Sequence, residues 1–178
     1  MNQVAEKIET KRTPQVWIGC LAAYNNGKLF GEWVDIPSDP EELREEIKRV
    51  LSKSPEPMAE EWAFMDYSDV PSTFGENPDL DKLCEYAELF NEYGDAIYAF
   101  IECFGVDDLS KETFEDAFRG SWDNFDDFAY DEAELYLAEI EGNEFLKRYF
   151  DYESWSRDLF HDYHSEDIGG YCYVFSNY

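Results

Sequence analysis

The stretch D-L-D-K-L-C-E-Y-A-E-L-F-N-E-Y-G-D-A-I-Y-A-F-I-E-C-F-G, Asp79–Gly105, holds the decisive pattern. Leu80, Leu83, Cys84, Ala87 and Phe90 recur at the spacing of one helix face. Gly94 breaks the pattern, Ile97, Phe100 and Ile101 resume it, and Gly105 suits a helix stop. Two helices are therefore expected over Asp79–Phe104. Between their apolar positions stand Asp79, Asp81, Glu85, Glu88, Glu92 and Asp95, with Lys82 the one base.

Towards the C-terminus, Leu109–Phe118 and Asp131–Ile140 are expected as helices, the second ended by Gly142. Tyr152, Trp155 and Leu159 give another amphipathic spacing, and Y-C-Y-V-F (Tyr171–Phe175) closes as a strand. Towards the N-terminus, the apolar run Gln15–Tyr24, the turn signal Asn25-Asn26-Gly27 and Lys28–Asp35 predict a β-hairpin, since Asn-Gly supplies the positive φ of a tight turn. Ser38-Asp39-Pro40-Glu41 predicts a helix start, with Glu three residues after Ser. Leu43, Ile47, Val50 and Leu51 then line one face, Ser52–Pro57 stops the helix, and Glu61–Tyr67 is a third strand. No internal repeat is seen. The expected class is α+β in three small domains. A disordered extension (1–14) precedes an N-terminal antiparallel sheet plus helix (15–72), a helical middle (73–112) and a C-terminal α+β domain (113–178).

With 44% apolar and 18% aromatic residues the chain is too rich in core formers for a solvating acidic tail. Its net charge of −28 far exceeds the magnitude of about 8 that solubility asks of a small domain. The excess is local. Residues 1–55 carry 9 acidic and 8 basic side chains, 56–146 carry 27 and 3, and 147–178 carry 6 and 3. Self-repulsion on this scale opposes compaction, so a strongly basic partner is the simplest reason to keep it. The same sign excludes nucleic acid and anionic membrane as direct ligands. Met1–Arg12 has no apolar signal region, no run is long enough to span a bilayer, and Cys20, Cys84, Cys103 and Cys172 are widely spaced. These point to the cytoplasm and to free, buried thiols.

The candidate partner-binding carboxylates are Glu76, Asp79, Asp81, Glu85, Glu88, Glu92, Asp95, Asp107, Asp108, Glu112, Glu115 and Asp116. The set continues with Asp123, Asp126, Asp127, Asp131, Glu132, Glu134, Glu139, Glu141 and Glu144. An ordinary solvated helix face interleaves Lys or Arg at i+4, and those partners are missing. B-form DNA presents about one phosphate charge per 1.7 Å of axis, and dense carboxylates without bases on rigid elements imitate it. An acidic adaptor or chaperone for basic proteins is the alternative. Enzyme chemistry is not singled out: with 42 acidic residues many carboxylate pairs arise by chance. His161 and His164 are close enough to share a metal with Asp158 or Glu166, although two surface histidines is the plainer reading. A Ca²⁺ loop counted from Asp123 would need glycine at Phe128 and fails. No phosphate-cradling loop, nucleophile elbow or Cys-His dyad is present, no cofactor is implied, and the five tryptophans are expected as core or interface anchors.

V-W-I-G-C-L-A-A-Y-N-N-G-K-L-F-G-E-W (Val16–Trp33), Asp66–Tyr67 and Y-F-D-Y-E-S-W-S-R-D-L (Tyr149–Leu159) together resemble the ArdA antirestriction family. The last stretch is similar to its C-terminal motif, at Tyr149, Phe150, Asp151, Tyr152, Arg157, Asp158 and Leu159. The resemblance implies an elongated homodimer that mimics bent B-form DNA. It would occupy the DNA groove of Type I restriction–modification enzymes, at the methyltransferase core, without chemistry of its own, and serve a mobile genetic element. It also puts the dimer contact in the C-terminal domain. As one of few basic residues in an acidic chain, Arg157 is expected as a structural ion-pair partner rather than a ligand contact.

Overall fold

The computed structural model describes residues 12–140 and 143–177. The chain is α+β and gathers into two compact units, one running to Glu92 and one from Tyr93. The boundary falls inside the segment 73–112.

In the first unit β1 (Gln15–Cys20) lies between β2 (Gly31–Asp35) and β3 (Trp62–Ser68), antiparallel to both. Its central place explains its apolar run: Val16, Ile18 and Cys20 are fully buried. A helix, α2 (Pro40–Ser52), packs on β1 and β2 and buries Leu43, Ile47, Val50 and Leu51, the face its periodicity predicts. Each such side chain contributes about 1.5–3 kcal/mol by leaving water. Helix α3 (Leu80–Tyr93) buries Leu83, Cys84, Tyr86, Ala87, Leu89 and Phe90, and Tyr86 Oη donates to Asp69 O at 2.8 Å. Of residues 1–14, residues 1–11 lie outside the described chain. Arg12 donates to Asp69 at 3.0 Å, and Pro14 O accepts from Ile36 N–H at 2.9 Å.

Two local expectations give way here. Asn25-Asn26-Gly27 is not a tight hairpin turn but the end of a short helix, α1 (Leu21–Asn25). Gly27, at φ +74°, donates to Tyr24 O and Lys28 N–H donates to Ala23 O, both at 2.9 Å. This is the paired bonding of a Schellman ending, which asks of glycine the same positive φ that a hairpin does. The strands β1 and β2 still pair, joined by ten residues. The cap of α2 is Asp39 rather than Ser38: its Oδ1 accepts from Glu41 N–H at 2.9 Å, which puts Pro40 at the first helical position.

The second unit runs through α4 (Asp95–Phe104), α5 (Lys111–Ala117), β4 (Phe118–Trp122), α6 (Phe125–Ala138), α7 (Asn143–Lys147) and α8 (Tyr152–Leu159). It ends with β5 (Tyr163–Ile168) and β6 (Tyr171–Ser176), in an antiparallel sheet of order β4-β6-β5. Central β6 is covered on both faces. Phe175 meets Phe100 at 5.8 Å between ring centroids and Phe118 at 5.6 Å. Cys172 and Val174, on the alternate face, pack with Phe128, Trp122, Phe125, Leu159 and Tyr163. Two strands were not foreseen. β5 (Y-H-S-E-D-I) has little apolar alternation, and Phe118, expected as the last residue of a helix, is the first of β4. The tight two-residue turn lies here, at Gly169-Gly170 between Ile168 and Tyr171, with φ of +62° and +89°. Helix α6 starts six residues earlier than expected, where Asn124 Oδ1 accepts from Asp127 N–H at 3.0 Å.

Candidate functional site

On α3, Asp81, Glu85, Glu88 and Glu92 stand four, three and four residues apart. At 100° and 1.5 Å per residue they form a stripe about 60° wide and about 16 Å long, on the side away from the buried face. Asp81, Glu88 and Glu92 are exposed, while Glu85 is half-buried with Lys82 Nζ at 3.3 Å. Asp81 and Glu88 meet no basic side chain within ion-pair reach among the described residues. Asp79, just before the helix, is a cap: it accepts from Asp81 N–H at 2.8 Å. Glu76 is exposed in the preceding loop.

In the second unit Asp107, Asp108, Glu112, Glu115 and Asp116 are exposed on and before α5. Tyr93 Oη donates to Glu115 at 2.6 Å, and Lys111 lies 3.9 Å from it. Asp95 opens α4 and is half-buried. Glu102, exposed on α4, is a further outward carboxylate that sequence reasoning missed, because it stands seven residues beyond Asp95 in an otherwise apolar helix.

Helix α6 differs. Asp126 accepts from Ser156 Oγ at 2.5 Å, Asp127 from Asn124 Nδ2 at 2.9 Å, and Asp131 from Trp122 Nε1 at 2.9 Å. Glu134 accepts from Tyr152 Oη at 2.7 Å and pairs with Lys147. These bonds hold the Glu134 carboxyl below its usual range, Lys147 being the larger cause, and push the Tyr152 phenol up to about 12. Asp123, Glu139 and Glu144 are exposed and Glu132 half-buried; Glu141 lies outside the described residues. Asp126, Asp127 and Asp131 stay exposed while accepting these bonds, and only Glu134 among them is half-buried and paired with a base.

The stretch Tyr149–Leu159 builds α8 and ties it to α6. Asp151 caps the helix, accepting from Ser154 N–H at 3.0 Å and Ser154 Oγ at 2.7 Å, which lowers its own pKa. Trp155 Nε1 donates to Ala129 O at 2.9 Å, Phe150 packs 4.8 Å from Tyr152, and Leu159 lies against the Phe128 core. The family profile described as antirestriction protein (ArdA) matches residues 16–173, nearly the whole chain. The chain belongs to the ArdA antirestriction family. Among curated proteins none matches it.

Membership in ArdA assigns an antirestriction role, within a family of inhibitors rather than enzymes, and interaction with restriction enzymes in general. In this ArdA protein the C-terminal motif is largely internal framework. Tyr149 and Arg157 are exceptions: Tyr149 is 71% exposed, and Arg157 pairs with the adjacent Asp158 at 3.2 Å, with side chains 68% and 73% exposed. Such a pair between chain neighbours joins no two elements and contributes little. Among the described residues no three His, Cys, Asp or Glu side chains gather as metal ligands. His161 sits in the turn after α8, and His164 lies edge-on to Phe104 at 4.7 Å. All four cysteines are free. Burial pushes Cys84 and Cys172 up to about 11 and Cys103 up to about 12, so these three offer no thiolate at neutral pH. No helix among the described residues is long and apolar enough to cross a membrane.

Proposed function

We propose that this protein inhibits Type I restriction–modification enzymes by mimicking B-form DNA and occupying the DNA groove of their methyltransferase core. The α3 stripe carries the reading. Four carboxylates repeat about every 5.5 Å over about 16 Å, one of them offset by Lys82 at Glu85, against one phosphate charge per about 3.4 Å along a single DNA strand. The protein thus offers roughly half of a strand's line density on a rigid rod. Like charges at i+3 and i+4 each cost a few tenths of a kcal/mol in the free protein, a cost that basic side chains in the target's channel would reverse through charge-assisted hydrogen bonds. Asp107, Asp108, Glu112 and Asp116 add outward charge in the second unit. The protein acts by occupancy, with no reaction of its own.

The active form is a homodimer carrying twice −28. Leu135, Tyr136, Ile140, Phe145, Leu146 and Tyr149, on and beside α6 and α7, are all exposed. Apolar side chains left in water at this density support an interface there.

The test is titration of the purified protein into a Type I methyltransferase bound to labelled duplex, at about 150 mM salt. Stoichiometric displacement of the DNA, weakening steeply with added salt, is the expected result. No displacement, together with binding to unrelated basic proteins, would overturn the mimic in favour of an acidic adaptor.

A further inference from the structure

Helix α7 is turned inside out. Of its described side chains Glu144, Phe145 and Leu146 are exposed, Phe145 at 69%, and only Lys147 is half-buried. A surface lysine ordinarily lays its stem on apolar surface and keeps the ammonium in water. Here the ammonium is turned in and the apolar groups are turned out. Phe145 and Tyr149 meet at 5.1 Å between centroids and, with Leu146, leave an aromatic and aliphatic ledge open to solvent.

A helix of five residues does not hold by itself in water, so α7 depends on what docks it. Among its described side chains the one bond runs from Lys147 Nζ to Glu134 of α6. The acceptor is itself fixed. Tyr152 Oη donates to the other oxygen of Glu134 at 2.7 Å, and Tyr152 stacks on Tyr130 at 5.0 Å and 25° between planes. Phe150, packed on Trp155 at 5.8 Å, holds the turn that follows the helix.

We propose that Lys147 is a positioning residue for self-association: by docking α7 on α6 it holds Phe145, Leu146 and Tyr149 outward for a second copy of the chain. Two chains of −28 each repel one another, so association depends on apolar contact. A ledge that swung freely would lose that freedom on pairing, and fixing it beforehand strengthens the contact. The occupant is a second copy rather than the basic target because of Arg148. Exposed beside the ledge and bonded to no side chain among the described residues, it repels a basic channel and suits a surface rich in carboxylates. The proposal rests on the homodimer reading above and adds the residue that prepares the surface.

Sedimentation equilibrium of the whole chain reads the dimer dissociation constant. Lys147→Met keeps the stem, removes the ammonium and should raise that constant roughly tenfold, the scale of one charged hydrogen bond. Lys147→Arg should return it to within about threefold of wild type. Arg148→Met removes the same charge one residue on and should also stay within about threefold. Glu134→Gln keeps an oxygen that accepts from Lys147 and should lie nearer the wild type than Lys147→Met. Circular dichroism should show every variant folded. Phe145→Ser/Leu146→Ser removes the ledge itself from exposed positions, and adding Lys147→Met to it should weaken the dimer no further. An unmoved constant in Lys147→Met, an equal effect of Arg148→Met, or additivity with the ledge variant would overturn the proposal and leave the dimer standing. A wild type that stays monomeric at every concentration would overturn the homodimer reading and this proposal with it.

Discussion

Helices α2 and α3 are nearly the same length, lie in the same unit, and carry four acidic side chains each. They differ in what stands between those groups. In α2, Arg44 pairs with Glu41, Arg49 with Glu46 and Glu32, and Lys53 at the cap with Glu32. In α3 the one base is Lys82, and the acids form a single outward stripe. Both bury a full apolar face, so folding does not require the difference. The balanced helix is what a surface helix does to limit self-repulsion, and the unbalanced one tolerates that repulsion. The repulsion on α3 is therefore informative about binding.

The largest expected effect comes from reversing the stripe. Asp81→Lys/Glu88→Lys should weaken inhibition of a Type I enzyme at least about a hundredfold, two charge-assisted contacts being worth that much. The melting temperature should hold or rise, because like-charge neighbours are relieved. Loss of inhibition accompanied by unfolding would say nothing for the stripe, so circular dichroism belongs in the same experiment.

Next in size is salt. From 50 to 200 mM, wild-type affinity should fall by at least about tenfold, since exposed charges are screened beyond a Debye length of about 8–10 Å. The reversed-stripe variant should show a flatter dependence. Equal slopes would mean that α3 is not at the contact.

A third experiment makes α2 resemble α3. Arg44→Gln/Lys48→Gln raises its net charge to that of the stripe, yet inhibition should stay within about threefold if position decides. A tenfold gain would show that the target reads total charge instead.

The smallest effects separate committed from outward carboxylates. Glu134→Gln should lower the melting temperature at neutral pH and leave inhibition nearly unchanged, whereas Glu88→Gln should leave stability unchanged. Because the folded-state pKa of Glu134 is depressed, its contribution is complete above the unfolded carboxylate pKa, about 4.3, and disappears as pH falls through the lower folded value. The wild type should accordingly lose more stability than Glu134→Gln on acidification below pH 5.

What sequence revealed followed from physical range. The faces of α2 and α3 repeat within two turns, so Leu43, Ile47 and Val50, or Leu83, Ala87 and Phe90, announce themselves. Gly27 and Gly169-Gly170 show the limit: each supplies positive φ, and only the hydrogen bonds around it tell a helix end from a hairpin. Charge counting located the acidic stretch but could not sort it. The partners that donate to Asp126, Asp131 and Glu134 are Ser156, Trp122 and Lys147 with Tyr152, 9–30 residues away. No periodicity reports a bond of that span.

The four free thiols divide two and two between the units: Cys20 and Cys84 in the first, Cys103 and Cys172 in the second. Cys20, Cys84 and Cys172 are at most 2% exposed, so a thiol reagent reaches them only when the surrounding packing opens. Each unit therefore carries its own clock. Labelling rates measured cysteine by cysteine, with mass spectrometry to assign the site, would time the opening of each unit separately in the native protein.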